Sequence, residues 1–198
     1  MGGRGAGSGI GSEQAAGRDK PVKVKNITLA DREVMHEVAK AAAYATEHFP
    51  ELEGNPYVNL QEVNQADIVT PGVLAYYGTE NKNIVIGNKT LNYESQSDFH
   101  PPGTGNLSGV VAHELGHALS YHKLPGFRDV ETVLHMAHAR YNRENGEKLS
   151  CGEFMGKISR YAKKDAHEAF AEAFSDWAVN GVNAQKASLD VIRSWKEN

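Results

Sequence analysis

His113 and His117 stand four residues apart in the stretch "VVAHELGHALSYH" (110–122), with Glu114 beside the first of them. Residues four apart share one face of an α-helix, one turn up, so the two imidazoles can address a single metal ion. Glu114 lies one step round the helix, where it reaches a water on the metal but is badly placed to be a ligand. That offset suits hydrolysis: a cation lowers the pKa of a water it binds, and a carboxylate takes the proton as the water attacks a carbonyl. Two neutral imidazoles and one carboxylate suit Zn²⁺, with a fourth position left for water or substrate. The stretch itself lacks that carboxylate. Gly116, between the two histidines, leaves room for a neighbouring element to pack closely.

The third ligand must come from elsewhere in the chain. One family of zinc peptidases continues the motif with a glycine three residues on and a histidine three after that; here Ser120 and Lys123 occupy those positions. His122, five residues past His117, turns away from the metal face. A deformylase-like site takes a cysteine from upstream of the helix, whereas Cys151, the only cysteine, lies downstream and reads as a packing residue. "HEAFAEAFSDW" (167–177) offers Glu168, Glu172 and Asp176 at successive i+4 steps among Phe170, Phe174 and Trp177. A charged stripe on a helix is ordinarily a solvated face. Acids this close to apolar neighbours are nevertheless costly to bury unless they are paired or bind metal. Both Glu168 and Glu172 are credible on spacing alone.

Two resemblances bear on the choice. "EAFSD" (172–176) resembles the Glu-x-x-Ser-Asp segment of thermolysin-like enzymes, which implies Glu172 as ligand with Asp176 behind it. The other register has the longer match: Tyr161 precedes Glu168 by seven residues (168 − 161 = 7), and "EAFAEAF" runs from Glu168 to Phe174. In these residues the chain resembles the catalytic domain of anthrax toxin lethal factor and its relatives, zinc metallopeptidases with a glutamate third ligand (gluzincins). The resemblance covers the helix at 106–123 and the segment 160–178, well under half of the chain. It implies a zincin-like fold and metalloendopeptidase activity on a protein or peptide substrate. It implies His113, His117 and Glu168 as ligands to one Zn²⁺ and Glu114 as base. Tyr161 is then the hydrogen-bond donor to the developing oxyanion or leaving group, and Glu172 the support for a ligand histidine or the alternative ligand.

The elements that must position these residues follow from period and punctuation. "LADREVMHEVAKAAAYATEHF" (29–49) has helical spacing at Val34, Val38, Ala41, Ala42 and Ala45, with Asp31 as cap and Pro50 as stop. His36 and His48 on it lack partners at ligand spacing and read as ordinary histidines. "YVNLQEV", "DIVT", "VLAYYGT" and "NIVIGNKTL" read as three or four short strands, with "GTENKN" as a hairpin turn. "NIVIGN" (83–88) is the expected edge strand for an extended peptide. "SDFHPPGTGN" is a loop ahead of the histidine helix, and its His100 lies where it can line a substrate cleft. From there helices are expected at 107–123, 128–145, 151–162, 164–181 and 183–198. His135 and His138 read as the polar face of the second of these, and Lys163 and Lys164 as solvent-exposed. Strands first and helices after predict an α+β domain over 26–198.

Residues 1–25 are Gly/Ser-rich with little to bury and read as a disordered tail. They hold no apolar core of the secretory kind, and Ala6 stands where a myristoylation pattern wants Ser or Thr. A formal net charge of −4 gives no argument for nucleic acid or an anionic membrane as partner, and no apolar run approaches bilayer length. The expected location is therefore cytoplasmic, phage-associated or exported by a non-classical route. A rival to the enzyme is a zincin-like domain of a phage structural or head-associated protein with a binding or assembly role, because "MGGRGAGSGIG" resembles N-termini encoded in prophages. Glu114 and Tyr161 favour the enzyme, since metal binding alone requires neither.

Overall fold

A computed structural model describes residues 22–58 and 63–196. The described residues form a four-stranded mixed sheet and six α-helices. The strands are β1 (Val24–Leu29), β2 (Val63–Ile68), β3 (Ala75–Gly78) and β4 (Asn83–Gly87). The helices are α1 (Arg32–His48), α2 (Leu107–Ser120), α3 (Val130–Asn145), α4 (Cys151–Gly156), α5 (Ala166–Asn180) and α6 (Lys186–Trp195). This is an α+β arrangement, with α1 inserted between the first two strands.

Spatial order in the sheet is β1-β2-β4-β3, antiparallel at both outer pairs and parallel between β2 and β4. The "NIVIGN" strand is therefore internal, which corrects its assignment as an edge. Its Ile84, Val85 and Ile86 are all buried, the continuous apolar run of a strand covered on both faces. The edge beside the helices is β3, joined to β4 by the turn anticipated at "GTENKN". β1 has no counterpart among the expected strands: its Val24 and Lys25 fall within the expected tail, of which residues 1–21 lie outside the described residues. The strand is exposed along nearly its whole length and so carries no apolar alternation. β2 runs across the break expected between two strands, and residues 59–62 of the first of those lie outside the described residues.

α1 forms as its spacing predicts: the five apolar positions are buried, and the Asp31 carboxylate accepts from the Val34 N–H at 3.0 Å. α2 is nearly all buried, packed against α1, α5, β3 and β4. Its ends are set by the Asn106 side chain, which accepts from the Gly109 N–H, and by the turn after Ser120. α5 lies across α2 and is backed by α3 and α6, where Phe49, Phe127, Phe170 and Trp195 make ring contacts of 4.3–5.7 Å. Gly116 is the hinge of this packing. A Cβ there would stand 2.8 Å from the Ala171 Cα, so the two backbones touch only because position 116 has no side chain.

α4 is shorter than expected. It opens with a Ser150–Glu153 capping box and ends at Gly156, where a Cβ would collide with the Lys163 side chain. The chain then turns back along the loop before α2. The Arg160 and Tyr161 N–H groups donate to the carbonyls of Asp98 and Phe99 at 3.3 and 3.0 Å. Tyr161 thus stands in a short 3-10 turn (Tyr161–Lys163), not in a helix.

Candidate metal centre

Helix period places His113 and His117 on the same face of α2, and the close α2–α5 approach sets Glu168 against both. Glu168 Oε2 lies 3.2 Å from His113 Nε2 and 3.2 Å from His117 Nε2. All three atoms are buried and none has an aligned hydrogen-bond partner. They lie within 4.8 Å of one another, and the triad could hold a metal ion. Zinc bonds of about 2.0–2.1 Å in a tetrahedron imply ligand-to-ligand separations of about 3.3 Å, so the spacing fits an ion at the centre better than a hydrogen bond along an edge.

Glu168 turns a single oxygen toward the two histidines. Its other oxygen, Oε1, accepts from the Tyr161 hydroxyl at 3.1 Å and from Lys164 Nζ at 3.0 Å. Two donors on Oε1 leave only Oε2 to face the histidines. Lys164 therefore does more than meet solvent: its side chain is about a third exposed, and its ammonium reaches the buried carboxylate one turn along.

Glu172 is on the opposite side of the His113 ring. Its Oε1 lies 2.8 Å from His113 Nδ1 and 3.0 Å from His100 Nδ1. A carboxylate at Nδ1 cannot share an ion bound at Nε2, so the two glutamates stand on opposite sides of the ring, with Glu168 on the side of the triad that could hold an ion. Asp176, the partner expected in the thermolysin-like register, points elsewhere. Its oxygens accept from Asn180 Nδ2 at 2.8 Å and the Gln185 N–H at 2.9 Å, tying the end of α5 to the approach of α6.

Charge and burial act against each other throughout the cluster. Burial alone would depress His113, but the adjacent carboxylates of Glu168 and Glu172 raise it well above the usual imidazole value. Burial would raise Glu168, yet His117 and His113 hold it well below the carboxylate range. The same opposition takes Glu172 to about 2, with His100 and His113 outweighing burial. His117 is lowered by burial, and Tyr161 is raised by burial and then by the Glu168 charge, so its hydroxyl remains a donor. Glu114 is fully buried with both oxygens unpartnered, and burial pushes it up to about 8. Three carboxylates in so small a volume are the kind of arrangement a divalent cation offsets.

The six residues singled out in the sequence, His113, Glu114, His117, Tyr161, Glu168 and Glu172, are brought together. His122 is engaged elsewhere: its Nε2 meets the Tyr77 hydroxyl at 2.8 Å, and its ring stacks on Tyr57 at 3.7 Å. His138 Nε2 meets the Leu149 carbonyl at 2.5 Å, and His135 is on the surface. Sequence reasoning missed the contacts of His100 and Lys164. The i,i+4 spacing of Lys164 and Glu168 was a usable signal for one, whereas nothing local links His100 to a residue 72 positions away. Compared with models of protein families, with curated proteins and with solved structures, the chain matches none.

Proposed function

We propose that the protein is a zinc metalloendopeptidase of the glutamate-ligand class with a zincin-like fold, akin to the lethal factor catalytic domain. The observation that carries this reading is the convergence of three buried, unpartnered ligand atoms from His113, His117 and Glu168 beside a fourth buried acid, Glu114. His113 Nε2, His117 Nε2 and Glu168 Oε2 would hold the ion. A bound zinc ion supplies Lewis acidity toward a carbonyl and toward water, and its charge opposes the effect that burial has on Glu114.

The chain's own residues supply the remainder. Glu114, tied to no other side chain, takes the proton of the attacking water and returns it to the leaving amine. Tyr161 supplies a phenol that stays protonated and donates to the oxygen where negative charge develops. Glu172 holds His113 Nδ1, and Lys164 holds Glu168 Oε1. A peptide would lie along β3. Leu74 pairs with Gly87 through the Gly87 N–H at 2.7 Å, so alternation turns the backbone groups of Ala75 and Tyr77 away from β4 toward the free edge. β3 also packs directly on α2. The convergence of His113, His117, Glu168 and Glu114 supports this enzyme over a phage-associated binding domain, because Glu114 and Tyr161 contribute nothing to passive assembly.

Metal analysis of the wild type beside His113→Ala, Glu168→Ala and Glu172→Ala tests the ligand set, with peptide-library cleavage by wild type and Glu114→Ala testing the activity. One zinc ion per wild-type chain, lost in His113→Ala and Glu168→Ala, is expected, together with cleavage that Glu114→Ala abolishes. Zinc retained by Glu168→Ala and lost by Glu172→Ala would reverse the roles of the two glutamates. Zinc binding without any Glu114-dependent cleavage would favour the non-enzymatic reading.

A further inference from the structure

We propose that His100 is a positioning residue for the metal centre, acting through Glu172 on His113. The inference rests on the ligand assignment above and extends it by one residue. A single oxygen, Glu172 Oε1, faces two imidazole nitrogens, His100 Nδ1 at 3.0 Å and His113 Nδ1 at 2.8 Å. The aligned hydrogen bond is that of His100, whose Nδ1 carries the hydrogen because a carboxylate oxygen only accepts; His113 Nδ1 stands within reach of the same oxygen without an aligned bond. A His113 ring that turns its Nδ1 hydrogen to this oxygen offers Nε2 to a metal, the tautomer a metal needs.

His100 makes this arrangement durable. Glu172 is about 1% exposed and its Oε2 has no partner, so the aligned donor to its charge is His100 on Oε1. With His100 removed, the buried carboxylate would lose its aligned donor. Such a group is costly to keep ionised in one orientation, and the His113 ring would lose its fixed tautomer with it. His100 has no comparable freedom. It is itself buried, edge-on to Phe99 and Tyr161 with centroids at 5.0 and 5.8 Å. Its loop is closed by the Thr104 hydroxyl on the Pro101 carbonyl and by Asn180 Nδ2 on the Pro102 carbonyl, each at 2.8 Å. The imidazole is thus set in place by α5 and the proline loop before any ion arrives. His100 does not belong to the converging triad, so its effect is on the orientation of a ligand and not on the number of ligands.

The test separates ring volume from hydrogen-bond donation. His100→Asn places an amide nitrogen near the position of Nδ1, whereas His100→Phe fills the ring's space with no donor. Zinc affinity is measured for each by competition with a chromophoric chelator, alongside thermal unfolding of the metal-free forms. We expect His100→Phe to bind zinc about 10–100-fold more weakly, and His100→Asn to stay within about threefold of wild type, a difference of under about 1 kcal/mol. In a Glu172→Ala background, His100→Phe should cost no more than about threefold further, since the path it acts through is gone. Wild-type affinity in His100→Phe, an equal loss in His100→Asn, or a further tenfold loss in the Glu172→Ala background would each overturn the inference. Failure of the wild type to bind zinc would instead remove the metal-centre reading itself.

Discussion

Replacing Gly116 by alanine should damage the metal centre without touching a ligand. The added methyl would stand 2.8 Å from the Ala171 Cα and 3.2 Å from the Phe174 Cβ. Non-bonded carbons settle at about 3.5–4.0 Å, so α5 must retreat from α2 by roughly 0.7–1 Å at this level. Glu168 leaves α5 one turn before Ala171, and its Oε2 is now 3.2 Å from each histidine Nε2. A shift of that size would stretch these separations to about 4 Å, beyond the roughly 3.3 Å that tetrahedral zinc requires. Overpacking costs about 1–3 kcal/mol, and alanine returns about 1 kcal/mol of helix propensity over glycine. The metal-free protein should therefore lose at most about 2 kcal/mol while zinc affinity falls at least about tenfold. Chelator competition and metal-free thermal unfolding read the two effects separately. Gly152→Ala is the control, since a Cβ in that first turn of α4 meets nothing within 4 Å. Zinc affinity in Gly116→Ala equal to that of Gly152→Ala would refute the reasoning.

Tyr161→Phe should keep zinc, since Lys164 still holds Glu168 Oε1, but lower kcat on a cleaved peptide by about 10²–10³-fold with a smaller change in KM; an unchanged kcat would remove Tyr161 from the chemistry. Stripping the metal with a chelator should destabilise the fold as a whole, because the ligands bridge α2 and α5. At free zinc about 1,000 times the dissociation constant the ion contributes about 4 kcal/mol, which corresponds to a fall in Tm of about 8–16 °C for a domain this size. A chelator-insensitive Tm in differential scanning calorimetry would count against an ion at this position.

What could be read from the residues was whatever repeats at short range. The five buried positions of α1, its Asp31 cap and the shared face of His113 and His117 all follow from a period of 3.6. The choice between Glu168 and Glu172 does not, because the two lie one turn apart and spacing treats them alike. It is decided by where α5 docks on α2, and hence by Gly116 meeting Ala171. The edge of the sheet was misassigned for a related reason: strand order depends on pairing, and β4 lies between β2 and β3 whatever its composition. β1 escaped notice because an exposed strand has no buried face to pattern. His100 is the extreme case, a loop histidine whose contact with Glu172 appears only once two distant segments have been folded together.

The pairing of residues 98–99 with 160–161 has a mechanical consequence. The two backbone hydrogen bonds from Arg160 and Tyr161 to Asp98 and Phe99 join the segment that ends in the phenol to the segment that begins at His100. The Tyr161 and His100 rings are thereby held side by side on one strap, with centroids 5.8 Å apart. A displacement of either end is transmitted to the other, so the two cannot be tuned apart. Any partner or substrate that levers the proline loop would shift the phenol with the same stroke.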